Sequence, residues 1–347
     1  MSALGEVLET ARRARGLTQA GGRPHGEALA FARAGAAAMG GTLYVTLEPC
    51  SHRSLRGGIP CVEHTILSGV KRVVSAMADP NPFIAGLGHA LLRTAGIEVV
   101  TGVLEDQAQR AHCGHVLRVT QGRPMVTFKI ARTADGYAGG AGATPIAVSS
   151  PAASAWVHLQ RAHHDAITAR EVPVWVIAAE TAPVEPEAAL VAAGVEVMRV
   201  GAAPDGHLDL HEALTLLGTR GITRVFSEGG PRIGEKLALA GLADEVVVST
   251  SPKALGEPGI VALRPGLAGL LAAPDLYRLA GTELIGGDRF EHLDDLCRLR
   301  RVRGFARARR EGVHQRRRKR QELEPGIETN ALAQAALGLP RLARWEP

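Results

Sequence analysis

The 347-residue sequence contains only four cysteines, and it lacks both long apolar runs and a Rossmann glycine fingerprint. Four scattered cysteines do not make a disulfide framework, so they favour a reducing compartment. No apolar stretch is long enough to span a membrane, and residues 1–16 lack the apolar core of a signal peptide. The absence of GxGxxG argues against a dinucleotide-binding Rossmann domain. These absences predict a cytoplasmic protein, and the length allows two domains.

The most informative residues are a histidine, a carboxylate and two cysteines that each follow a proline. His25 and Glu27 lie in PHGE, Cys50 lies in EPC and Cys61 lies in IPC. Imidazole and thiolate are zinc ligands, and a catalytic zinc site keeps three protein ligands so that water can take the fourth position. We predict that His25, Cys50 and Cys61 bind Zn²⁺. Glu27 is then the carboxylate that moves a proton during deamination of a nucleobase.

The spacing of these residues predicts where they lie in the fold. The pattern indicates a helix, a strand and a second helix, over Ala28–Met39, Thr42–Leu47 and Val62–Ser68. His25 would lie at the start of the first helix, and Cys50 would follow the carboxyl end of the strand, where open α/β sheets bind ligands. Cys61 would begin the second helix, whose N-terminus lowers the pKa of a thiol.

Each part of this pattern also has a simpler interpretation. Cysteines in a cytosolic chain are often small buried apolar residues, and a single HxE arises by chance. The order of the four residues and the two prolines favour the zinc site. His52 and His64 lie nearby, but a fourth protein ligand would close the site to water, so we expect them in a loop and on a surface helix.

Longer segments around these residues resemble a known family. The segments are GGRPHGEALA, GTLYVTLEPCSH, IPC and ADPNPFIAGLGHALLRTAGIEV, and the similarity runs from about Gly21 to about Leu293. They resemble the bifunctional riboflavin biosynthesis protein of bacteria. That family deaminates diaminohydroxyphosphoribosylaminopyrimidine and then reduces the ribose of the product with NADPH. The resemblance implies a phosphoribosyl pyrimidine substrate, the same three zinc ligands and Glu27 as proton donor.

A helix predicted over Glu105–Thr120 and a linker predicted over 121–124 lead to the second half of the chain, which resembles the reductase of the same family. A β-compatible run over Met125–Ala131 leads into TADG, where Lys129 and Asp135 match the reductase opening. Arg161, in AWVHLQRA, matches a substrate-contacting arginine, and a guanidinium suits a ribose phosphate. By itself, the dipeptide AspGly is more typical of a turn.

A third match follows a strand predicted over Ile222–Ser227. The resemblance implies that Glu228 contacts the substrate and that the turn after it contacts NADPH through Gly229, Gly230, Pro231, Arg232, Ile233 and Gly234. Glycines between a strand and a helix let a phosphate approach backbone amides. A plain turn is the simpler explanation of this GlyGly pair.

The resemblance implies an α/β protein with two domains and a tail. A cytidine-deaminase-like three-layer α/β/α domain would span 1–121, and a dihydrofolate-reductase-like α/β domain would span 122–293. Residues 294–347 would form a disordered Arg-rich tail. Between Arg298 and Arg320 there are 12 basic residues and one acid, so the remaining 28 basic and 34 acidic residues are net negative. Such a run can bind RNA or acidic membrane, but its only aromatic is Phe305, so we expect neither partner.

The sequence also departs from the family. The NPxVG strand pair that precedes the family's zinc motif has no counterpart, and the TVxxDDPxLTxR segment expected after 164–167 is missing, as if deleted near 168–171. Loss of a binding segment disturbs catalytic geometry, so we expect weak or absent reduction. Three hypotheses follow: a deaminase with an impaired reductase, a non-catalytic binding scaffold, or a nucleic-acid-binding protein acting through its tail. We also expect the chain to form a homo-oligomer.

Overall fold

The computed structural model describes residues 25–52, 58–142, 147–163 and 174–295. The predicted deletion near 168–171 and the tail from 296 onward lie outside these ranges. The chain divides into two compact units, with the boundary after Ala108. Among the described residues, no helix has the length and apolar character needed to cross a membrane.

Unit one is built on a parallel sheet of three strands in the order β1, β2, β3. The strands are β1 Thr42–Val45, β2 Arg72–Ser75 and β3 Glu98–Thr101. The helices are α1 Gly26–Ala34, α2 Cys61–Leu67 and α3 Leu87–Thr94, and a 3-10 turn follows α1 over Gly35–Ala38. Helices α2 and α3 connect successive parallel strands, as a parallel sheet requires.

Apolar residues from the strands and helices form the core of unit one. Leu43 and Val73 from the sheet pack with Leu92 from α3, and all three side chains are buried. The predicted helix over 28–39 ends earlier than expected, because Gly35 adopts a φ of +52°. The chain then continues as the 3-10 turn, so the predicted helix, strand and helix are present with shifted ends.

Unit two contains most of the remaining elements, and α4 Glu105–Ala111 spans the boundary between the units. The other helices are α5 Cys113–Gln121, α6 Pro151–His163, α7 Glu185–Ala192, α8 Leu210–Thr219, α9 Gly230–Leu239 and α10 Pro265–Ala272. The strands are β4 Met125–Arg132, β5 Tyr137–Gly140, β6 Trp175–Ala179, β7 Glu196–Val200, β8 Arg224–Ser227, β9 Glu245–Thr250, β10 Gly259–Val261, β11 Tyr277–Ile285 and β12 Asp288–Asp295.

A mixed five-stranded sheet in the order β11, β12, β9, β4, β8 forms the centre of unit two. Strands β8 and β9 run parallel to β4, whereas β12 is antiparallel to β9. Two further pairs form separate small sheets, β5 with β10 and β6 with β7. Strand β12 continues to Asp295, two residues past the predicted end of the reductase domain at 293.

Helix α9 packs directly on strand β4 because Gly234 has no side chain. A Cβ atom on Gly234 would overlap the ring of Phe128, which is completely buried. Leu237 from the same helix belongs to the core that contains Phe128. This packing fixes the turn at the start of α9, where several of the predicted reductase residues lie.

Candidate metal centre and reductase residues

His25, Cys50 and Cys61 come from separate places in unit one and meet in space. His25 caps α1, Cys50 follows β1, and Cys61 is the first residue of α2. The Nδ1 atom of His25 lies 3.2 Å from the Sγ atom of Cys61 and 3.5 Å from that of Cys50. The three possible ligand atoms all lie within 4.8 Å of one another. The structure therefore brings together the three residues that the sequence predicted as metal ligands.

The pKa values of the two thiols in this cluster are shifted in opposite directions. The hydrogen bond from the Cys61 thiol lowers the pKa of Cys50 to about 3, and the backbone amide of Cys61 also donates to Cys50 Sγ at 3.3 Å. The same hydrogen bond, together with burial, raises the pKa of Cys61. A divalent cation would lower the pKa of both thiols, because its charge stabilises two thiolates at once.

Glu27 lies in the first turn of α1, beside the cluster. Burial raises the pKa of Glu27, although a backbone hydrogen bond and the nearby His25 oppose the shift. A carboxyl group with a raised pKa can hold a proton closer to neutral pH. His52 is exposed and His64 lies within α2, and neither joins the ligand cluster found among the described residues.

Glu48 and His89 are buried residues of unit one that the sequence analysis did not single out. Glu48 precedes Pro49 and Cys50, and its carboxylate accepts hydrogen bonds from three backbone amides. The Nδ1 atom of His89 lies 3.8 Å from Glu48 Oε2, and burial lowers the pKa of His89. The position of Glu48 directly before the ProCys pair was the available signal.

In unit two the structure brings together Lys129 and Glu228. Lys129 lies on β4, and Glu228 follows β8, the parallel neighbour of β4. The Nζ atom of Lys129 lies 4.0 Å from Glu228 Oε1. The Lys129 side chain is largely buried and Glu228 is more exposed. The pair lies at the carboxyl edge of β8 and beside the middle of β4. Ligands of open α/β sheets bind at such edges.

Asp135 holds a loop through its carboxylate. The oxygens accept hydrogen bonds from the Thr133 hydroxyl at 2.6 Å and from the amides of Leu255 and Gly256, each at 2.9 Å. These bonds, led by that of Thr133, lower the pKa of Asp135 to about 2. Asp135 therefore joins the turn between β4 and β5 to the loop that follows β9.

The predicted cofactor residues form the start of α9. Gly229 caps the helix, and Gly230 has a φ of +76°. Packing against Phe128 already explains why residue 234 is a glycine. Contact with a cofactor stays a prediction for all six residues, which are Gly229, Gly230, Pro231, Arg232, Ile233 and Gly234. Arg161 lies in the last turn of α6, and its side chain is outside the described part of the structure.

Comparison with known proteins places the chain in a family. The RibD C-terminal domain family matches residues 167–276. The riboflavin biosynthesis protein RibD of Escherichia coli is 31% identical over 328 aligned residues, covering 80% of this chain and 88% of that protein. RibD of Haemophilus influenzae is 32% identical, with coverages of 77% and 84%.

Solved structures agree with these sequence relationships. Acinetobacter baumannii RibD superposes with a TM-score of 0.64 at 25% identity, over 79% of this chain and 86% of that one. A Thermotoga maritima protein described as a diaminohydroxyphosphoribosylaminopyrimidine deaminase and 5-amino-6-(5-phosphoribosylamino)uracil reductase gives a TM-score of 0.57 at 23% identity. The chain thus has the mixed α/β fold of RibD structures. It belongs to the RibD family of riboflavin biosynthesis proteins.

Proposed function

We propose that this chain carries out zinc-dependent hydrolytic deamination of a diaminohydroxyphosphoribosylaminopyrimidine in riboflavin biosynthesis. The observation that carries the proposal is the convergence of His25, Cys50 and Cys61, with their ligand atoms all within 4.8 Å of one another. The substrate class is supported by membership of the RibD family and by the description of the Thermotoga maritima relative.

The donor atoms fit zinc. One imidazole nitrogen and two thiol sulfurs are the ligand types that zinc prefers, and three protein ligands are typical of catalytic sites. A zinc ion bound there would supply the Lewis acidity that makes water a nucleophile near neutral pH. Cys50 and Cys61 would hold the ion as thiolates, and His25 would use the Nδ1 atom that faces them.

Glu27 is the residue that we propose moves protons in this site. Its carboxyl group has a raised pKa and lies beside His25 and both cysteines without being one of the clustered donors. Its carboxylate oxygen would take a proton from the attacking water and deliver it to the departing amine nitrogen. The same oxygen would orient the water, because an ionised carboxylate is a strong hydrogen-bond acceptor.

The finer fold assignments are part of the same proposal. We assign a cytidine-deaminase-like three-layer fold to the first domain, supported by the parallel sheet and by the connections through α2 and α3. We assign a dihydrofolate-reductase-like fold to the second domain, supported by its mixed sheet centred on β4. The domain boundary predicted from sequence lies between 121 and 122. Along the chain it falls between Leu117 and Met125, which pack together with Cys113 in a small buried cluster.

For the second domain we propose a reduced capacity for NADPH-dependent reduction of the ribosylaminouracil product. Support for a remnant site comes from the Lys129 and Glu228 pair and from the glycines that open α9. NADPH would supply the hydride, and the protein residues would position it and the substrate. Impairment is expected because the sequence lacks the family's TVxxDDPxLTxR segment after 164–167.

The full-length protein tests both activities in one assay. We expect purified protein to contain zinc and to release ammonia from the phosphoribosyl pyrimidine, while NADPH oxidation after deamination stays slow. Protein that folds and binds zinc but releases no ammonia would contradict the deaminase. Rapid NADPH oxidation coupled to formation of the reduced product would contradict the proposed impairment. Sedimentation of the same sample tests the expected homo-oligomer.

A further inference from the structure

Glu48 is a buried acid placed between the sheet of unit one and a metal ligand. It lies three residues after β1 and two residues before Cys50, and its relative exposure is only 4%. A buried carboxylate is unfavourable unless hydrogen bonds compensate the loss of hydration. The location of its partners therefore indicates which parts of the unit Glu48 holds together.

The donors to Glu48 are backbone amides of one later segment. The amides of Asp79 and Gly86 donate to Oε2 at 2.9 and 2.8 Å, and the amide of His89 donates to Oε1 at 3.2 Å. These three donors span residues 79–89, from the loop after β2 into the first turn of α3. Both carboxylate oxygens are thus engaged by this segment.

The 79–89 segment is itself held in a fixed shape. The Asn81 amide donates to Asp79 Oδ1 at 2.8 Å, and Asn81 Oδ1 accepts from the Phe83 amide at 3.0 Å. The amides of Ile84 and Ala85 donate to the Asn81 carbonyl oxygen. Because the turn is internally bonded, anchoring it at a few amides positions all of it.

A second contact joins the same two parts of the chain. A Cβ atom on Gly88 would overlap the carbonyl oxygen of Pro49 and would lie 3.1 Å from Glu48 Cγ. The backbone of α3 therefore lies directly against the two residues that precede Cys50. On its other side, Cys50 accepts a hydrogen bond from the Val62 amide through its carbonyl oxygen, at 3.2 Å.

We propose that Glu48 is a positioning residue that fixes the metal ligand Cys50 against the 79–89 segment. Only Pro49 separates Glu48 from Cys50, and its restricted φ transmits the position of one residue to the other. This inference rests on the proposed zinc site, which it extends by naming the group that orients one ligand. Residues that orient metal ligands from behind typically change metal affinity by about 10- to 100-fold when they are replaced.

Glu48→Gln is the direct test, because it keeps the shape of the side chain and removes the charge and one acceptor oxygen. In the full-length protein we expect a chromophoric chelator to remove zinc about 10- to 100-fold more readily than from the parent protein. Hydrogen exchange should accelerate in peptides covering 79–89 and stay unchanged in β1, β2 and β3. Glu98→Gln is the matched control, since Glu98 lies on β3 and pairs with Arg72.

A second variant addresses the possibility that Glu48→Gln does not fold. Gly88→Ala leaves the Glu48 charge intact but forces α3 away from Pro49. We expect it to change the absorption spectrum of the Co²⁺-substituted protein, which reports the arrangement of the ligands, and Glu98→Gln to leave that spectrum unchanged.

The outcomes separate this inference from the proposed function. Zinc release and Co²⁺ spectra that match the parent protein in both variants would overturn the role of Glu48 alone. Equal loss of exchange protection throughout unit one would also overturn it, because Glu48 would then contribute only general stability. A parent protein that binds no zinc would overturn the metal site first, and with it this inference.

Discussion

Arg123 and Asp244 form a buried, bidentate ion pair in unit two. The Nη1 and Nη2 atoms of Arg123 donate to the two carboxylate oxygens of Asp244 at 2.7 and 2.9 Å. Asp244 is completely buried and also accepts from the Val126 amide at 2.8 Å. The pair therefore joins the start of β4 to the start of its parallel neighbour β9.

Removing one partner of this pair should destabilise the protein strongly. We expect Asp244→Asn to lower the free energy of unfolding of unit two by about 3–5 kcal/mol, because the Arg123 charge would remain buried without its counterion. Urea denaturation followed by circular dichroism measures the change. Asp205→Asn is the control, since it removes an exposed pair with Lys236 and should leave the midpoint unchanged. Equal midpoints for both variants would contradict the expectation.

Gly234→Ala tests the close packing of α9 on β4. The added methyl group would overlap the Phe128 ring, and overpacking of this kind typically costs about 1–3 kcal/mol. Gly269→Ala is a matched control in α10, where a Cβ atom meets nothing within 4 Å. We expect the first variant to unfold at lower urea concentration and the second to equal or exceed the parent. Stability of Gly234→Ala equal to the parent would show that α9 can shift without cost.

Glu27→Gln separates proton transfer from metal binding. We expect the variant to keep its zinc while its deamination rate falls roughly 100- to 10,000-fold, because the amide cannot take up and release a proton. Metal analysis and ammonia release on the same sample provide both measurements. Loss of zinc from Glu27→Gln would instead identify Glu27 as a ligand.

Cys61→Ser tests the metal cluster itself. Serine does not replace a thiolate as a zinc ligand, so we expect the purified variant to contain much less zinc than the parent protein. Cys113→Ser is the control, since Cys113 is also buried but lies in α5 and outside the cluster. Normal zinc content in Cys61→Ser, measured after dialysis against a chelator, would exclude Cys61 from the site.

We expect the stability of the loop after β9 to depend on pH through the Asp135 carboxylate. Its pKa is lowered from 3.8 to about 2, so the ionised carboxylate stabilises the loop above pH 3.8. That stabilisation is lost as the pH falls through about 2. We expect the amides of Leu255 and Gly256 to exchange faster in Asp135→Asn at neutral pH, and the difference from the parent to shrink at the acid end. A difference independent of pH would mean that charge is not involved.

The metal ligands could be predicted from the sequence, whereas the contacts of other site residues could not. His25, Cys50 and Cys61 were predictable because few residue types bind zinc and because their order matched a known motif. Asp135 was assigned to a possible reductase site, whereas its contacts with Leu255 and Gly256 depend on a loop more than a hundred residues away. No local pattern predicts such a pairing.

The same limit applies to buried charges and to the ends of helices. Arg123 was part of a predicted linker, and its burial follows from the position of Asp244 in the folded unit. The helix predicted over Glu105–Thr120 is instead two helices, α4 and α5, with His112 between them. Strands β4 and β8 lay close to their predicted positions, because runs of β-branched and apolar residues mark buried strands.

The hydrogen bonds to Glu48 leave the side chains of the 79–89 segment open to change. All three donors are main-chain amides, which every residue except proline provides at those positions. Gly88 touches Pro49 through its backbone, and the side chains of Asp79 and Asn81 shape the turn. Exposed side chains such as Phe83 and Leu87 can vary without loss of the anchor. Homologues can therefore alter this surface during evolution while the metal ligands keep their positions.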